Sequence, residues 1–111
     1  MLMPIPEWII NWIQKDRLVA SKYKISRKYL RHSKRIQFLK GEKKQDSNEW
    51  AWFRYMIISP KYGKYWVKYA DSAYECNCPF FKHRRICSHI LGVAQLTDVW
   101  PEENTIFPEK E

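Results

Sequence analysis

The feature that most constrains this chain is the spacing of three cysteines and one histidine in its C-terminal third. Cys76 and Cys78 are separated by one residue, Cys87 and His89 are also separated by one residue, and eight residues lie between the pairs. Proteins hold Zn²⁺ in a tetrahedron of thiolate and imidazole donors, and two such pairs joined by a short loop supply all four. The spacing therefore predicts a zinc site formed by Cys76, Cys78, Cys87 and His89.

Other interpretations of these residues fit less well. A disulfide would leave one of the three cysteines unpaired, and the N-terminus lacks the pattern of a secretory signal. His83 is a rival fourth ligand, but it lies in the middle of the loop, whereas His89 restores the symmetric pairing with Cys87. Four protein donors leave no position for water, so we expect one structural Zn²⁺ and no enzymatic activity.

Residues 74–96 resemble a SWIM zinc finger. They combine Cys-x-Cys, a short loop and Cys-x-His at the start of a helix, in the sequence CNCPFFKHRRICSHILGVAQL. The resemblance implies the same four metal ligands and a metal loop placed between strands and a helix. SWIM modules are known in transposases, Swi/Snf-type ATPases, ubiquitin-ligase-like proteins and partners of recombinase paralogues, so the resemblance implies DNA-binding or protein-binding roles.

The rest of the chain predicts a small α+β fold in a single domain, residues 1–111. Apolar residues recur at i, i+3 and i+4 from Ile5 to Ile13, which predicts an amphipathic helix over residues 4–23. Residues 50–59 and 64–70 are rich in aromatic and β-branched side chains and flank a Pro/Gly turn, which predicts an antiparallel hairpin. With a strand at 36–40, an antiparallel sheet of three to four strands is expected within 34–70. A C-terminal helix should begin near Ser88, followed by an acidic tail at 98–111.

Positive charge is concentrated in one third of the chain. The formal net charge is +8; residues 15–44 contain twelve Lys and Arg against two acids, whereas residues 97–111 contain five acids and one Lys. A basic segment of this density attracts polyanions, most often nucleic acid. The predicted contacts are mostly without sequence specificity. They come from the basic stretch (residues 15–44) and the metal loop (residues 76–89): Arg27, Lys28, Arg31, Lys34, Arg35, Lys82, Arg84 and Arg85. Four aromatic residues are candidates for base stacking if they are exposed and the ligand is single-stranded, although most of them are expected in the core: Tyr62, Trp52, Trp66 and Phe81.

The nature of the partner stays open at this stage. The resemblance alone favours DNA over RNA, and a ribosome-associated RNA-binding protein is one alternative. The other is an adaptor in a recombination or repair complex that docks on a protein such as a recombinase-like ATPase. Its support is the apolar stripe of Trp8, Ile9, Trp12 and Ile13. No segment approaches the roughly 18 apolar residues of a membrane span, so a cytoplasmic protein without a membrane partner is expected. The sequence favours no particular oligomeric state.

Overall fold

A four-stranded antiparallel sheet with helices at both ends forms the fold, in a computed structural model that describes residues 5–107. This confirms the predicted α+β class. The helices are α1 (Glu7–Lys15), α2 (Arg17–Arg31), α3 (Pro79–Arg84), α4 (Ser88–Thr97) and α5 (Glu103–Ile106), and a 3₁₀ turn covers Ser33–Arg35. The strands are β1 (Ile36–Lys43), β2 (Trp50–Ser59), β3 (Gly63–Ala70) and β4 (Ala73–Cys76).

Two helices occupy the region where the sequence predicts one helix over 4–23. Asp16 interrupts the helical path, because its backbone is extended (φ −119°, ψ 109°) and its carboxylate accepts hydrogen bonds from the N–H groups of Leu18 and Val19. A short polar side chain whose oxygen accepts hydrogen bonds from the backbone N–H groups of the following turn acts as a helix N-cap. At Asp16, α1 therefore ends and α2 begins. The second helix, α2, then continues through the basic stretch to Arg31. Residue 4, the first of the predicted helix, lies outside the described residues.

The predicted hairpin is present, with β2 and β3 paired from Trp52 opposite Ala70 to Ser59 opposite Gly63. The hydroxyl of Ser59 accepts hydrogen bonds from the N–H groups of Lys61 and Tyr62, which closes the turn. Gly63 follows with φ +95°, a conformation that side chains disfavour. The turn thereby holds Lys61 and Tyr62 at the end of the sheet.

Strand β1 runs three residues further than predicted and is irregular. Its pairing with β2 shifts register twice: Leu39 of β1 is skipped between Phe38 and Lys40, and Ala51 of β2 is skipped between the partners of Glu42 and Lys43. Gly41 lies against β2, where a Cβ atom would come within 2.8 Å of the Cβ of Phe53. Only glycine permits this close approach of the two strands.

The core lies between one face of the sheet and the helices α2 and α4. Alternate residues of the strands point into it, so that Phe53, Ile57 and Val67 are almost fully buried. Helix α4 is buried along nearly its whole length and packs on α2, where Gln95 donates a hydrogen bond to the hydroxyl of the buried Ser26 (2.8 Å). The metal loop enters this packed layer from β4 and leaves it through α4.

The segment predicted as an acidic tail packs partly against the fold, as far as it is described. The hydroxyl of Tyr74 donates to the carbonyl of Val99 (2.6 Å), and Ile106 is buried. Phe107 contacts the rings of Trp12 and Trp8, with centroid distances of 4.7 and 6.5 Å. The apolar stripe of α1 therefore packs within the protein. Residues 108–111, with two of the tail's acids, lie outside the described residues.

None of the helices between residues 5 and 107 combines the length and the apolar character that crossing a membrane requires.

Candidate metal centre and basic groove

Three elements place the predicted metal ligands around one point. Cys76 is the last residue of β4, and Cys78 directly precedes α3. Cys87 directly precedes α4 and caps it, because its sulfur accepts a hydrogen bond from the N–H of Ile90 (N to Sγ, 3.4 Å). His89 lies in the first turn of α4. The end of one strand and the starts of two helices thus converge.

The geometry of this cluster fits a zinc ion. The donor atoms of Cys76, Cys78, Cys87 and His89 all lie within 4.8 Å of one another, and Sγ of Cys76 is 3.6 Å from Nδ1 of His89. A tetrahedral site with Zn–S bonds of about 2.3 Å separates its sulfurs by about 3.8 Å, so the cluster has the required size. All four side chains are buried, and three thiols with one imidazole form a donor set typical of zinc.

The thiols of the cluster are electrostatically coupled. A hydrogen bond with Cys78 raises the pKa of the Cys76 thiol to about 12, and burial raises the pKa of the Cys87 thiol well above its ordinary value. Hydrogen bonds from Cys76 and Cys87 lower the pKa of Cys78. These shifts favour the charged form at Cys78 and the neutral form at Cys76 and Cys87. A bound Zn²⁺ would displace the thiol protons, and its charge would compensate the three thiolates.

Aromatic rings hold the imidazole of His89 in place. The ring of Tyr65 lies 4.6 Å from it and that of Tyr29 lies 5.7 Å from it, measured between centroids. Tyr65 belongs to β3 and Tyr29 to α2, so the ligand is clamped between the sheet and a helix. The other histidines take no part in the cluster: His83 is exposed on α3, and His32 is exposed after α2.

A groove of about 880 Å³ opens beside the metal cluster. Helix α2, the β2–β3 turn and the metal loop form its walls, and the ligands Cys78, Cys87 and His89 are among the residues that line it. No Asp or Glu occurs among its described lining residues. Four of them are cations, from three separate parts of the chain: Lys22, Lys28, Arg35 and Lys61. We call this feature the basic groove.

Aromatic side chains contribute much of the remaining lining of the basic groove. Tyr62, at the β2–β3 turn, is 68% exposed, and the ammonium group of Lys61 lies 5.4 Å from the centre of its ring. Phe80 of the metal loop lies beneath the ammonium group of Lys22 at 4.8 Å. Each of these two rings in the groove lining therefore lies next to a lysine ammonium group.

The structure separates the eight cations predicted to contact nucleic acid into groups. Lys28 and Arg35 line the basic groove. Arg27 and Arg31 are exposed on α2 but outside that lining, and their spacing places them together on its outer face. Three more are exposed outside the groove lining: Lys34, Lys82 and Arg85. The groove brings in two cations that the sequence-based set omits, Lys22 and Lys61.

Arg84 has a different environment from the other predicted contacts. Its guanidinium donates to the carboxylate of Asp16 at 2.9 Å, and both side chains are only partly exposed. This ion pair joins the metal loop to the junction of α1 and α2. We therefore leave Arg84 out of the contacts proposed below.

The positions of Lys22 and Lys61 along the chain explain why the sequence alone does not identify them as groove residues. Lys61 stands alone in a turn, 17 residues beyond the basic stretch, and only the pairing of β2 with β3 brings it to α2. Lys22 lies within the basic stretch, and its position relative to the groove depends on the rotation of α2. A helical periodicity of Lys22, Ile25 and Lys28 is the signal that could have identified this face.

Residues 65–98 match the family model of the SWIM zinc finger. The match begins in β3 and ends just after α4, so it contains all four residues of the metal cluster. No curated protein and no solved structure gives a match to the chain. Together, the match and the cluster show that this chain carries a SWIM zinc finger, a zinc-binding module, in residues 65–98.

Proposed function

We propose that this protein binds nucleic acid, with DNA favoured over RNA, through the basic groove and the adjoining outer face of α2. The observation that carries the proposal is the meeting of four cations from separate parts of the chain in one groove lined without acids. Contacts from Lys and Arg to phosphates do not depend on base identity, so binding should be strongly salt-dependent and mostly non-specific. The preference for DNA rests on the SWIM resemblance.

One structural Zn²⁺ is part of this proposal. Four protein donors complete a tetrahedron and leave no coordination position for water or substrate. The ion then connects β4 to the starts of α3 and α4, and it determines the shape of the loop that carries Phe80 and His83. On this basis the module acts by binding and has no catalytic activity.

The adaptor hypothesis receives less support. Its principal basis was the apolar stripe of α1, and that stripe packs on Phe107 and on the core. The side chain of Ile9 is fully buried. A surface that is already covered within the protein offers little area to a protein partner.

Fluorescence anisotropy with labelled DNA and RNA of one sequence tests the proposal. We expect DNA binding at about 50 mM salt, weakening linearly in log–log coordinates as salt rises. A Lys28→Gln/Lys61→Gln variant removes two exposed groove cations and should weaken duplex binding about tenfold, with a salt dependence shallower by nearly two ions.

A Lys43→Gln/Lys44→Gln variant is the matched control, because both lysines are exposed at the opposite end of β1 and β2 from the groove. It removes the same charge and should change affinity only slightly. Equal losses in the two variants would mean that overall charge, and not the groove, governs binding. Absence of binding to both DNA and RNA at low salt would rule out the proposed function.

A further inference from the structure

The outer face of the sheet differs from the face that covers the core. Residues on alternate positions of β2 and β3 point away from the helices, and the large ones, Trp52, Met56 and Trp66, lie outside the core cluster. They are half-buried, as expected for side chains that pack only on their neighbours within the sheet. This face takes no part in the basic groove, which lies on the side of the metal loop and α2.

Three cations stand side by side across this outer face. Lys40 of β1 pairs with Arg54 of β2, and Arg54 pairs with Lys68 of β3. Cross-strand partners share one face, and neighbouring strands are about 4.8 Å apart, so the three side chains form a row about 10 Å long. We call it the cation row. Two acids lie beside the row on the same face: Glu75 of β4 pairs with Lys68, and Glu42 of β1 accepts a hydrogen bond from the indole N–H of Trp52 (3.4 Å). Among the described residues, neither acid forms an ion pair with a member of the row.

The two cation–cation pairs of the row are unfavourable for the fold, and only its Lys68 end faces an acid, Glu75. Like charges directly opposite each other on neighbouring strands destabilise a sheet, and here two such pairs share Arg54. The bulge at Leu39 brings Lys40 opposite Arg54. In an unbroken ladder Lys40 would pair with Phe53 and would point to the core face of the sheet. A bound anion would neutralise the row and relieve this repulsion, which would explain why the fold retains it.

Indole rings flank the cation row on both sides. Trp52 lies two residues before Arg54 in β2, and the Arg54 guanidinium lies 5.8 Å from the centre of its ring. Trp66 lies two residues before Lys68 in β3, and the Lys68 ammonium lies 4.4 Å from the centre of its ring. Because the strands are antiparallel, the two indoles lie on opposite sides of the row. Flexible cationic side chains over an indole are readily displaced sideways by a phosphate, which frees the ring for a base. Proteins bind single-stranded nucleic acids through open sheets on which cations alternate with aromatic rings.

We infer that the outer face of the sheet is a second nucleic-acid surface, which binds a single strand through phosphates on Lys40, Arg54 and Lys68 and bases on Trp52 and Trp66. A duplex keeps its bases stacked inside and offers the indoles no ring to stack on. The inference shares only the class of ligand with the proposed function, because none of its residues lines the basic groove.

A Lys40→Gln/Arg54→Gln/Lys68→Gln variant tests the inference against a labelled oligothymidylate of about 15 nucleotides, the scale of single-strand sites. Loss of three phosphate contacts should lower affinity at least about tenfold at low salt and reduce the salt slope by about 2. The thermal midpoint of the zinc-loaded variant should stay nearly equal, since removal of the repulsion within the row offsets the loss of the pairing between Lys68 and Glu75. Unchanged affinity in a variant that keeps this midpoint would overturn the inference.

The second variant addresses the aromatic contacts. Trp66→Leu keeps an apolar side chain on the sheet but removes the stacking surface, and it should weaken single-strand binding by roughly five- to 100-fold. Binding of a duplex should remain unchanged, and Trp66→Phe should retain part of the single-strand affinity. Equal losses for single strand and duplex would contradict a stacking role.

The groove variant Lys28→Gln/Lys61→Gln separates this inference from the proposed function. We expect it to weaken duplex binding more than single-strand binding, and the cation-row variant to do the opposite. If only the groove variant affects both ligands, the second surface is rejected and the proposed function stands. If only the cation-row variant affects both, the outer face stands and the groove is rejected.

Discussion

Asp16 connects three parts of the protein through a single carboxylate. It follows α1, caps the first turn of α2 and accepts a hydrogen bond from Arg84 of the metal loop. The N-terminal helices are thus tied directly to the segment between the two ligand pairs. A change at Asp16 should be felt in the stability of the whole fold, although the residue lies 60 positions from the nearest metal ligand.

An Asp16→Ala variant should be less stable than the wild type by about 1–2 kcal/mol. The helix cap contributes about 1 kcal/mol, and the ion pair with Arg84 adds a smaller amount because both side chains are partly exposed. Urea unfolding of the zinc-loaded protein measures the difference. Arg84→Ala and the double variant complete a cycle, and strictly additive effects would show that the two side chains do not interact.

The same carboxylate gives the fold a defined response to acid, which an Asp16→Asn variant isolates because Asn retains the cap. Burial alone would raise the pKa of Asp16, but hydrogen bonds from Arg84, Val19 and Leu18 hold it below its ordinary value of 3.8. The charged form is therefore favoured by folding. Its contribution to the free energy of unfolding is complete above about pH 5 and disappears as the pH falls through the lowered pKa.

Individual side chains could be predicted from the sequence where local spacing defines them. The four metal ligands are such a case, since two short-range pairs bring donors together with little help from the rest of the fold. Asp16 could have been identified as a helix cap, but the continuous apolar pattern from Ile5 to Ile13 masked the break. Its partner Arg84 could not, because the ion pair joins residues 68 positions apart.

Among the elements, α4 and β1 each contain a glycine, and the two glycines should respond oppositely to alanine. A Cβ at Gly92 of α4 would meet its neighbours at 3.9 Å, an ordinary contact, whereas at Gly41 of β1 it would meet β2 at 2.8 Å. Gly92→Ala should stabilise the protein by about 0.5–1 kcal/mol, because alanine favours the helix. Gly41→Ala should destabilise it by about 1–3 kcal/mol through overpacking.

Thermal or urea unfolding of the two zinc-loaded variants measures these changes side by side. Each variant is the control for the other, because both add the same methyl group. Stabilisation by Gly41→Ala would mean that β1 can move away from Phe53, and the tight strand contact described above would be wrong.

The periodicity of apolar residues in the sequence predicted some helices and strands better than others. The hairpin of β2 and β3 was predicted well, since alternation in residues 64–70 and a Pro/Gly turn are both local signals. The helix α2 was missed beyond Tyr23, because lysines and arginines fill most of its exposed face and obscure the few apolar residues that contact the core. The loop between the ligand pairs contains α3, whose start at Pro79 matches the preference of proline for the first turn.

At the scale of the whole molecule, removal of zinc should unfold at least the C-terminal half. The ligands connect β4, α3 and α4, and α4 covers the sheet. Zinc fingers gain about 10–16 kcal/mol of apparent free energy from their ion, which exceeds the stability of most domains. Circular dichroism should show loss of helix after addition of a strong chelator, and excess Zn²⁺ should restore it.

A Cys87→Ser variant is the control for chelation, because it should already be partly unfolded and should not respond to the chelator. If the wild type kept its thermal midpoint after the metal had been removed, a structural role for the ion would be excluded. The wild type and the variant also allow nucleic-acid binding to be compared with and without a shaped metal loop.

The basic groove is a property of the assembled fold and could not be predicted as a site. The sequence indicated that cations are concentrated in residues 15–44, and two members of the groove were named among them. The groove also needs Lys61 and Tyr62 from a turn, and the outer sheet face needs a register between three strands. Both depend on contacts between segments that are distant along the chain, which no local pattern encodes.

The two register shifts between β1 and β2 have a further consequence for the behaviour of this protein at high concentration. As the first strand in the order of the sheet, β1 has one unpaired edge, and Phe38 and Leu39 are about half exposed there. A regular apolar edge would accept a strand from another molecule and extend into fibrils. The shifts interrupt the ladder, and Lys40 and Lys43 add repulsion between copies. These irregularities should therefore protect an aromatic-rich sheet from aggregation.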